Sequence, residues 1–180
     1  MKIHLETKRL IIRELRETDL EGMFALDSNT EVHKYLGNNP IKTKVEAEKE
    51  IQFIREQYKE RGIGRFAVIE KETGEFIGWS GFKLNKGKKE TLNGFESFID
   101  IGYRLIPKHW KKGFGLESAI ACLDFGFKTL NYDIIYGAAA IENLGSNKIL
   151  KKIGLQFVNQ FEHENIHVNW YQLKKENYEK

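Results

Sequence analysis

The sequence predicts an α+β protein, a single domain over residues 1–180 built around a mixed sheet. Three observations carry this. Strand-like and helix-like segments follow one another in the order β-α-α-β-β-β-α-β-α-β-β, about seven strands in all. Hairpins occupy the early and late parts, while a long apolar helix provides a crossover between them, as parallel neighbours in a sheet require. The 180 residues are 41% hydrophobic and 31% charged, enough apolar material for one packed core with a solvated surface.

The elements follow in chain order. "RLIIREL" (9–15) is apolar and β-rich, and reads as the first strand. Thr18 and Glu21 spell a capping box ahead of Met23, Phe24 and Leu26, which predicts a helix start there. Thr43 and Glu46 spell a second box. Behind it Ala47, Ile51, Ile54 and Tyr58 fall on one face of a long helix, which Gly62 and Gly64 end. "RFAVIE" and "EFIGWSGF" flank "KETGE", a hairpin with glycine in its turn. "LNKGKKETLNG" reads as a polar, mobile hairpin tip. "FESFIDIGYRLI" is a long alternating strand that Pro107 ends, since proline donates no ladder bond. In the next helix Leu116, Ala119, Ile120, Leu123, Phe127 and Leu130 share a broad apolar face, predicting burial against the sheet. Ala121, Cys122 and Phe125 add apolar surface elsewhere. "YDIIYGAAA" has the low polarity of a central strand. "NLGSNKILKKIG" is a short helix with Asn143 as N-cap and Gly154 as stop. "LQFVNQFEHE" and "IHVNWYQLKK" close the chain as an antiparallel pair.

Composition excludes several functions. A net charge of +3, from 29 basic and 26 acidic residues, is too mild to argue for nucleic acid. Lys86, Lys88 and Lys89 form a small basic loop without interleaved aromatic residues. A single cysteine, Cys122, rules out an internal disulfide and a cysteine-cluster metal site, and reads as packing. The five histidines show no metal spacing, so no metal is expected. His163 and His167 lie four apart but in extended structure, and His109 reads as exposed. No segment approaches the roughly 20 apolar residues of a membrane span, and the charged N-terminus lacks a signal-peptide pattern, which predicts a cytoplasmic protein.

The stretch "HWKKGFGLESA" (109–119) stands between the long strand and the apolar helix. The first N–H groups of a helix lack internal partners and carry partial positive charge. Gly113 and Gly115 leave that end uncovered, and Lys111 and Lys112 add charge. The pattern suits a phosphate cradle. It is not a P-loop, and Ser118 stands where a dinucleotide fingerprint needs its third glycine. By itself the stretch equally suits a plain glycine turn with two solvated lysines.

The whole pattern resembles the GNAT acetyltransferase superfamily. Its motif places Arg or Gln, two residues, Gly, one residue, then Gly or Ala between a long strand and a buried helix. Gly113 and Gly115 fill the small positions, and Trp110 replaces the Arg or Gln. That replacement resembles the ribosomal-protein-alanine (N-terminal) acetyltransferase-like branch, as does "GYRLIPKHWKKGFGLESA". "ETKRLIIRE", "VHKYL", "ETGEFIG" and "NLGSNKILKKIGL" match further motifs of that branch in the same order. The resemblance implies a sheet splayed beside the motif strand, with acetyl-CoA as co-substrate in the gap. It implies pantetheine contacts from Leu105 and Ile106, and a pyrophosphate site on Lys111, Lys112, Gly113, Phe114, Gly115 and Leu116. It places Asn143 and Ser146 by the thioester. The acceptor it implies is a primary amine, including a protein N-terminal α-amine. The alternatives are a small amine (polyamine, amino acid or drug) and a non-catalytic acyl-CoA-binding module. Family members often form homodimers.

Acetyl transfer to an amine needs a neutral amine, a donor for the thioester oxygen and a proton for the departing thiolate. Many family members use a tyrosine as that acid. Leu150 holds its position, so the branch resemblance shifts the role to Ser146. The base candidates are Glu96 and Asp100, four apart on the long strand and so on one face, and Glu162 and Glu164 in the late hairpin. Trp79, Phe82 and Tyr103 are aromatic candidates for lining a cleft.

Overall fold

A computed structural model describes residues 3–178. The strands are β1 (His4–Glu6), β2 (Leu10–Glu14), β3 (Arg65–Glu70), β4 (Phe76–Lys86), β5 (Ser97–Leu105), β6 (Ile134–Ala140), β7 (Gln156–His163) and β8 (Ile166–Lys174). The helices are α1 (Leu20–Asp27), α2 (Thr30–His33), α3 (Lys44–Arg61), α4 (Phe114–Asp124), α5 (Leu144–Lys152) and α6 (Lys175–Tyr178). The strands form one eight-stranded sheet in the order β1-β2-β3-β4-β5-β6-β8-β7. Every neighbouring pair is antiparallel except β5 and β6. The sheet therefore has one strand more than the sequence predicts, the short β1. The late hairpin pairs as expected, with β8 inside and β7 at the edge.

The sheet separates two apolar layers. On one face, Ala119, Cys122 and Leu123 of α4 and Leu150 of α5 pack with Phe66, Val68, Phe82, Ile101 and Ile135. On the other, Met23 and Leu26 of α1 pack with Ala47, Ile51 and Ile54 of α3 and with Ala67. Gly126 allows the closest approach on the first face: a Cβ there would stand 2.6 Å from the Phe82 ring.

Local signals succeed and fail for identifiable reasons. The Thr43–Glu46 box forms in both directions, and Gly62 ends α3 with φ 72°. The Thr18–Glu21 box does not form. Asp19 takes over, accepting from the Arg16 N–H and from both terminal nitrogens of Arg13, each at 2.8 Å. A 3₁₀ turn over Glu17–Asp19 precedes α1, and Glu21 instead meets Lys44. The face of α4 is also rotated from the expected one. Ile120 is 45% exposed, while Ser118 and Cys122 are fully buried. A π turn over Phe125–Thr129 then shifts the register of the apolar positions that follow. The loop after β4 is anchored, because Glu90 pairs with Arg61 at 2.7 Å and Lys83 at 3.2 Å.

The feature that positions the site is a fork. β4 and β5 pair continuously from Gly78↔Leu105 to Lys86↔Ser97, whereas β5 and β6 meet only at Asp100↔Tyr136. Among the described residues, no pairing joins the two strands beyond that point.

Candidate active site

The glycine turn lies at the open end of the fork. β5 ends in a 3₁₀ turn over Pro107–His109. Lys111 (φ 60°) and Gly113 (φ 85°) then adopt left-handed backbone before α4 begins at Phe114. Left-handed residues beside a helix mouth gather successive N–H groups into a concave anion-binding nest. Gly113 meets the positive φ without the cost that a side chain carries there. Lys111 accepts that cost within the same turn.

The bend between β1 and β2 braces this turn. Thr7 Oγ1 and the Arg9 N–H donate to Glu117 of α4, and Arg9 adds a guanidinium pair to Glu117 at 2.7 Å. Arg9 Nη1 also donates to the Lys112 carbonyl at 2.9 Å, and its guanidinium lies 4.3 Å from the Phe114 ring centroid. Burial works upward on the Glu117 carboxyl, but Thr7, Arg9 and the Arg9 charge together hold it below its ordinary range. The "ETKRL" opening is thus part of the turn's support. Trp110 closes the other side, its indole N–H donating to the Leu105 carbonyl at 2.6 Å.

Strand alternation decides which backbone groups face the gap. The Ile106 N–H turns to the Ile77 carbonyl of β4. Tyr103 and Leu105, out of phase with it, direct their backbone groups to the opening. The Tyr103 ring fills the floor beneath the turn: a Cβ added at Gly115 would stand 2.9 Å from its Cε2. Burial pushes its phenol above the ordinary range, with the Ser146 side chain acting the other way. Asn143 caps α5 by accepting the Ser146 N–H at 3.1 Å. Asn147 secures that helix end, donating to the Ala140 and Asn143 carbonyls and accepting from Tyr171 and Asn169. The structure thus brings Gly115, Tyr103, Ser146 and Asn143 together. Leu150 is buried, packed where a Cβ at Gly137 would be.

The carboxylates separate. Asp100 stands at the fork, yet it accepts from Arg65 at 2.7 Å and from Asn85 at 3.0 Å. Both oxygens are engaged in bonds that tie β5 to β3 and β4. Glu96 lies exposed before β5 begins, outside the strand that the sequence predicts for it. Glu162 and Glu164 are exposed on the late hairpin, Glu164 in its turn with φ 50°. Phe82 is a core residue with no exposed surface.

On the α1/α3 face Trp79 does line a cleft. The Arg65 and Arg104 guanidinium carbons each lie 5.1 Å from its ring centroid. Two adjoining hollows, about 300 and 420 Å³, share Asp27, Glu50 and Arg104. Arg104 pairs with Asp27 at 2.5 Å, Arg65 with Asp100 at 2.7 Å and Lys83 with Glu90 at 3.2 Å. Glu50 has no ion pair or hydrogen bond among the described residues. Its side chain is exposed, yet partial loss of water and the nearby Asp27 charge raise its carboxyl above the ordinary range, against the Arg104 charge. Glu50, Phe53 and Gln57 lie at i, i+3 and i+7 of α3, beside its apolar stripe. That spacing is the signal sequence reading passes over.

His109 is 4% exposed, not open to solvent. It packs on Phe114, and neither ring nitrogen has a hydrogen-bond partner among the described residues. Glu70 and Glu75 lie 3.9 and 3.8 Å from its two nitrogens. These three residues could reach a cation, but Lys108 already pairs with Glu75 at 2.7 Å. Among the described residues no helix is long and apolar enough to cross a membrane.

A forked mixed sheet with a glycine-mouthed helix at its opening defines the class: an N-acetyltransferase. The acetyltransferase (GNAT) domain profile matches residues 9–156, and the chain belongs to that family. It is 34% identical over 152 residues to the uncharacterized N-acetyltransferase YoaA of Bacillus subtilis, covering 84% of this chain and 82% of that protein. Among solved structures, a GNAT-family acetyltransferase from Bacillus anthracis superposes with a TM-score of 0.78 at 24% identity, over 97% of this chain and 99% of that one. Spermidine N-acetyltransferase from Vibrio cholerae, in complex with CoA and spermine, superposes at 0.74 with 18% identity, over 97% and 100%. These two structural likenesses concern the fold.

Proposed function

We propose that the enzyme transfers acetyl from acetyl-CoA directly to a primary amine. The observation that carries this is the turn from Lys111 to Leu116 at the open end of the fork. The residues there fit the co-substrate. Its pyrophosphate would meet the N–H groups of the turn and of Phe114, Gly115 and Leu116, with Lys111 and Lys112 adding charge. The Leu105 N–H and the Tyr103 backbone would pair with the pantetheine amides, a substitute for the ladder that β5 and β6 do not form, the Leu105 carbonyl being held by Trp110. When bound, acetyl-CoA supplies an activated acyl carbon and a thiolate leaving group.

The chain's own residues do the rest. Asn143 fixes the first turn of α5 and so fixes Ser146. Ser146, beside Tyr103, would offer its hydroxyl to the departing sulfur. A serine hydroxyl is a weak acid, so it acts as donor or relay with the phenol behind it. Resemblance to the ribosomal-protein-alanine branch extends the acceptor reading to a protein N-terminal α-amine. The motifs that carry the likeness support the turn and the caps, and the α1/α3 cleft lies on the opposite face.

Gly113→Asp tests the reading. A side chain at φ 85° is strained, and its Cβ would stand 3.2 Å from Arg9. The added carboxylate repels pyrophosphate. Acetyl-CoA affinity, measured by calorimetry, should fall about 100-fold or more, equal to about 2.7 kcal/mol, with circular dichroism unchanged. A folded variant with wild-type affinity moves the site elsewhere.

A further inference from the structure

We propose that Glu70, Glu75 and His109 form a binding site for one divalent transition-metal ion of the zinc class, distinct from the acetyl-transfer site. Glu70 ends β3, and Glu75 lies in the connection that leads into β4. His109 ends the 3₁₀ turn that follows β5. Each residue offers one ligand atom, and those atoms all lie within 4.8 Å of one another.

The second, independent observation is the state of His109. Its side chain is 4% exposed, and neither ring nitrogen has a hydrogen-bond partner among the described residues. A buried polar atom left unanswered costs free energy. The ring is aimed at the two carboxylates, with Nδ1 3.9 Å from Glu70 and Nε2 3.8 Å from Glu75. Those distances are too long for hydrogen bonds. Glu70 is itself largely covered, with its side chain 14% exposed. It accepts from Thr73, and no lysine or arginine pairs with it among the described residues. An ion between the three side chains answers the imidazole and the Glu70 charge together.

The donor set decides the class of ion. One imidazole nitrogen with two carboxylate oxygens suits zinc and its first-row neighbours, whereas magnesium and calcium favour oxygen alone. Zinc holds such ligands at about 2.0–2.2 Å, so closing the present spread needs a shift on the order of 1 Å, with water in the fourth position. Glu75, half exposed, can supply that shift. Lys108 competes for Glu75, but the two side chains are 59% and 50% exposed, and a surface pair of this kind contributes little. The ligands come from separate segments, so no histidine spacing announces them. His109 precedes Lys111 by one residue, and the ion would tie the β3–β4 connection to the root of the glycine turn.

The test titrates zinc chloride into the untagged, metal-stripped full chain by calorimetry, beside thermal melts. One zinc per chain should bind in the micromolar range and raise the melting temperature by about 5 °C at a hundred-fold excess over the dissociation constant. Glu70→Gln and His109→Phe should each weaken binding about ten-fold or more and cancel that rise. Both keep the shape of the side chain they replace, and circular dichroism confirms that binding is read on folded protein. Lys108→Ala should tighten zinc binding about two- to five-fold, because it removes the competing cation. Absence of zinc binding overturns the inference. So does binding that survives both ligand variants, which would place the ion elsewhere, as at His4 and Glu6. Unchanged or weaker binding in Lys108→Ala, or displacement of zinc by equimolar magnesium, overturns it as well.

Discussion

The two faces of the forked sheet are built by different means. On the α4/α5 face the candidate co-substrate site is made of backbone: a left-handed turn, a helix mouth, an unpaired strand edge and an asparagine cap. On the α1/α3 face the cleft is made of side chains that meet from α1, α3, β3, β4 and β5. Backbone sites need particular residues at fixed short spacings, so glycine, proline and asparagine announce them. Side-chain clefts depend on pairings between distant segments. The Arg104–Asp27 pair spans 77 residues, and no local spacing encodes it.

Three substitutions sharpen that contrast. The largest expected effect is on the first face. Ser146→Ala should lower kcat by about 10- to 1,000-fold, roughly 1.4–4 kcal/mol, at saturating acetyl-CoA. The structure gives the cap to the Asn143 side chain, and Ser146 lends only its N–H, which alanine keeps. A urea melt should therefore barely move. Normal turnover with a lowered midpoint would assign Ser146 to helix stability alone.

The second substitution strikes the boundary between the faces. Asp100→Ala removes the partner of Arg65 and Asn85 at the fork. Breaking a well-buried pair costs about 3–5 kcal/mol, and partial exposure of both side chains brings the expected loss nearer 2. Denaturant unfolding reads this directly. If Asp100 were instead the base, activity would collapse with stability intact.

The smallest effect concerns pH. Burial holds His109 below its ordinary pKa, and Lys108 and Lys112 act in the same direction against Glu70 and Glu75. The folded state therefore binds fewer protons than the unfolded chain just below pH 6.5. Stability is lost as pH falls through that window. His109→Phe keeps the ring against Phe114 and removes two orphaned nitrogens. It should raise the melting temperature slightly at pH 6 and flatten its pH dependence. A steeper dependence in the variant would contradict a neutral, buried imidazole.

Two capping boxes show how far local reading reaches. Thr43 and Glu46 form theirs because the one further donor to Glu46, the Lys42 N–H, is local and no distant side chain draws either away. Thr18 and Glu21 do not, because Asp19 between them is drawn to Arg13, a tertiary pair that no four-residue pattern contains. The same limit applies at the site. Gly113, Gly115 and Asn143 are legible from their own neighbourhoods. Asp100 is legible as an acid at the right strand position, but its engagement by Arg65 is not. Glu50 sits on a helix with acids and lysines all along its exposed side. Only the packed structure shows that it lines both hollows of the cleft.

The bond from Arg9 to Glu117 joins residues 108 positions apart. During synthesis the bend between β1 and β2 emerges long before α4 exists to receive it, so the nest at Lys111–Gly113 acquires its brace late, as one of the most non-local contacts of the fold. The same bond makes Thr7 and Arg9 a remote support of the candidate co-substrate site. An affinity tag or trimmed terminus that disturbs Thr7 or Arg9 acts on the turn as directly as a mutation within it.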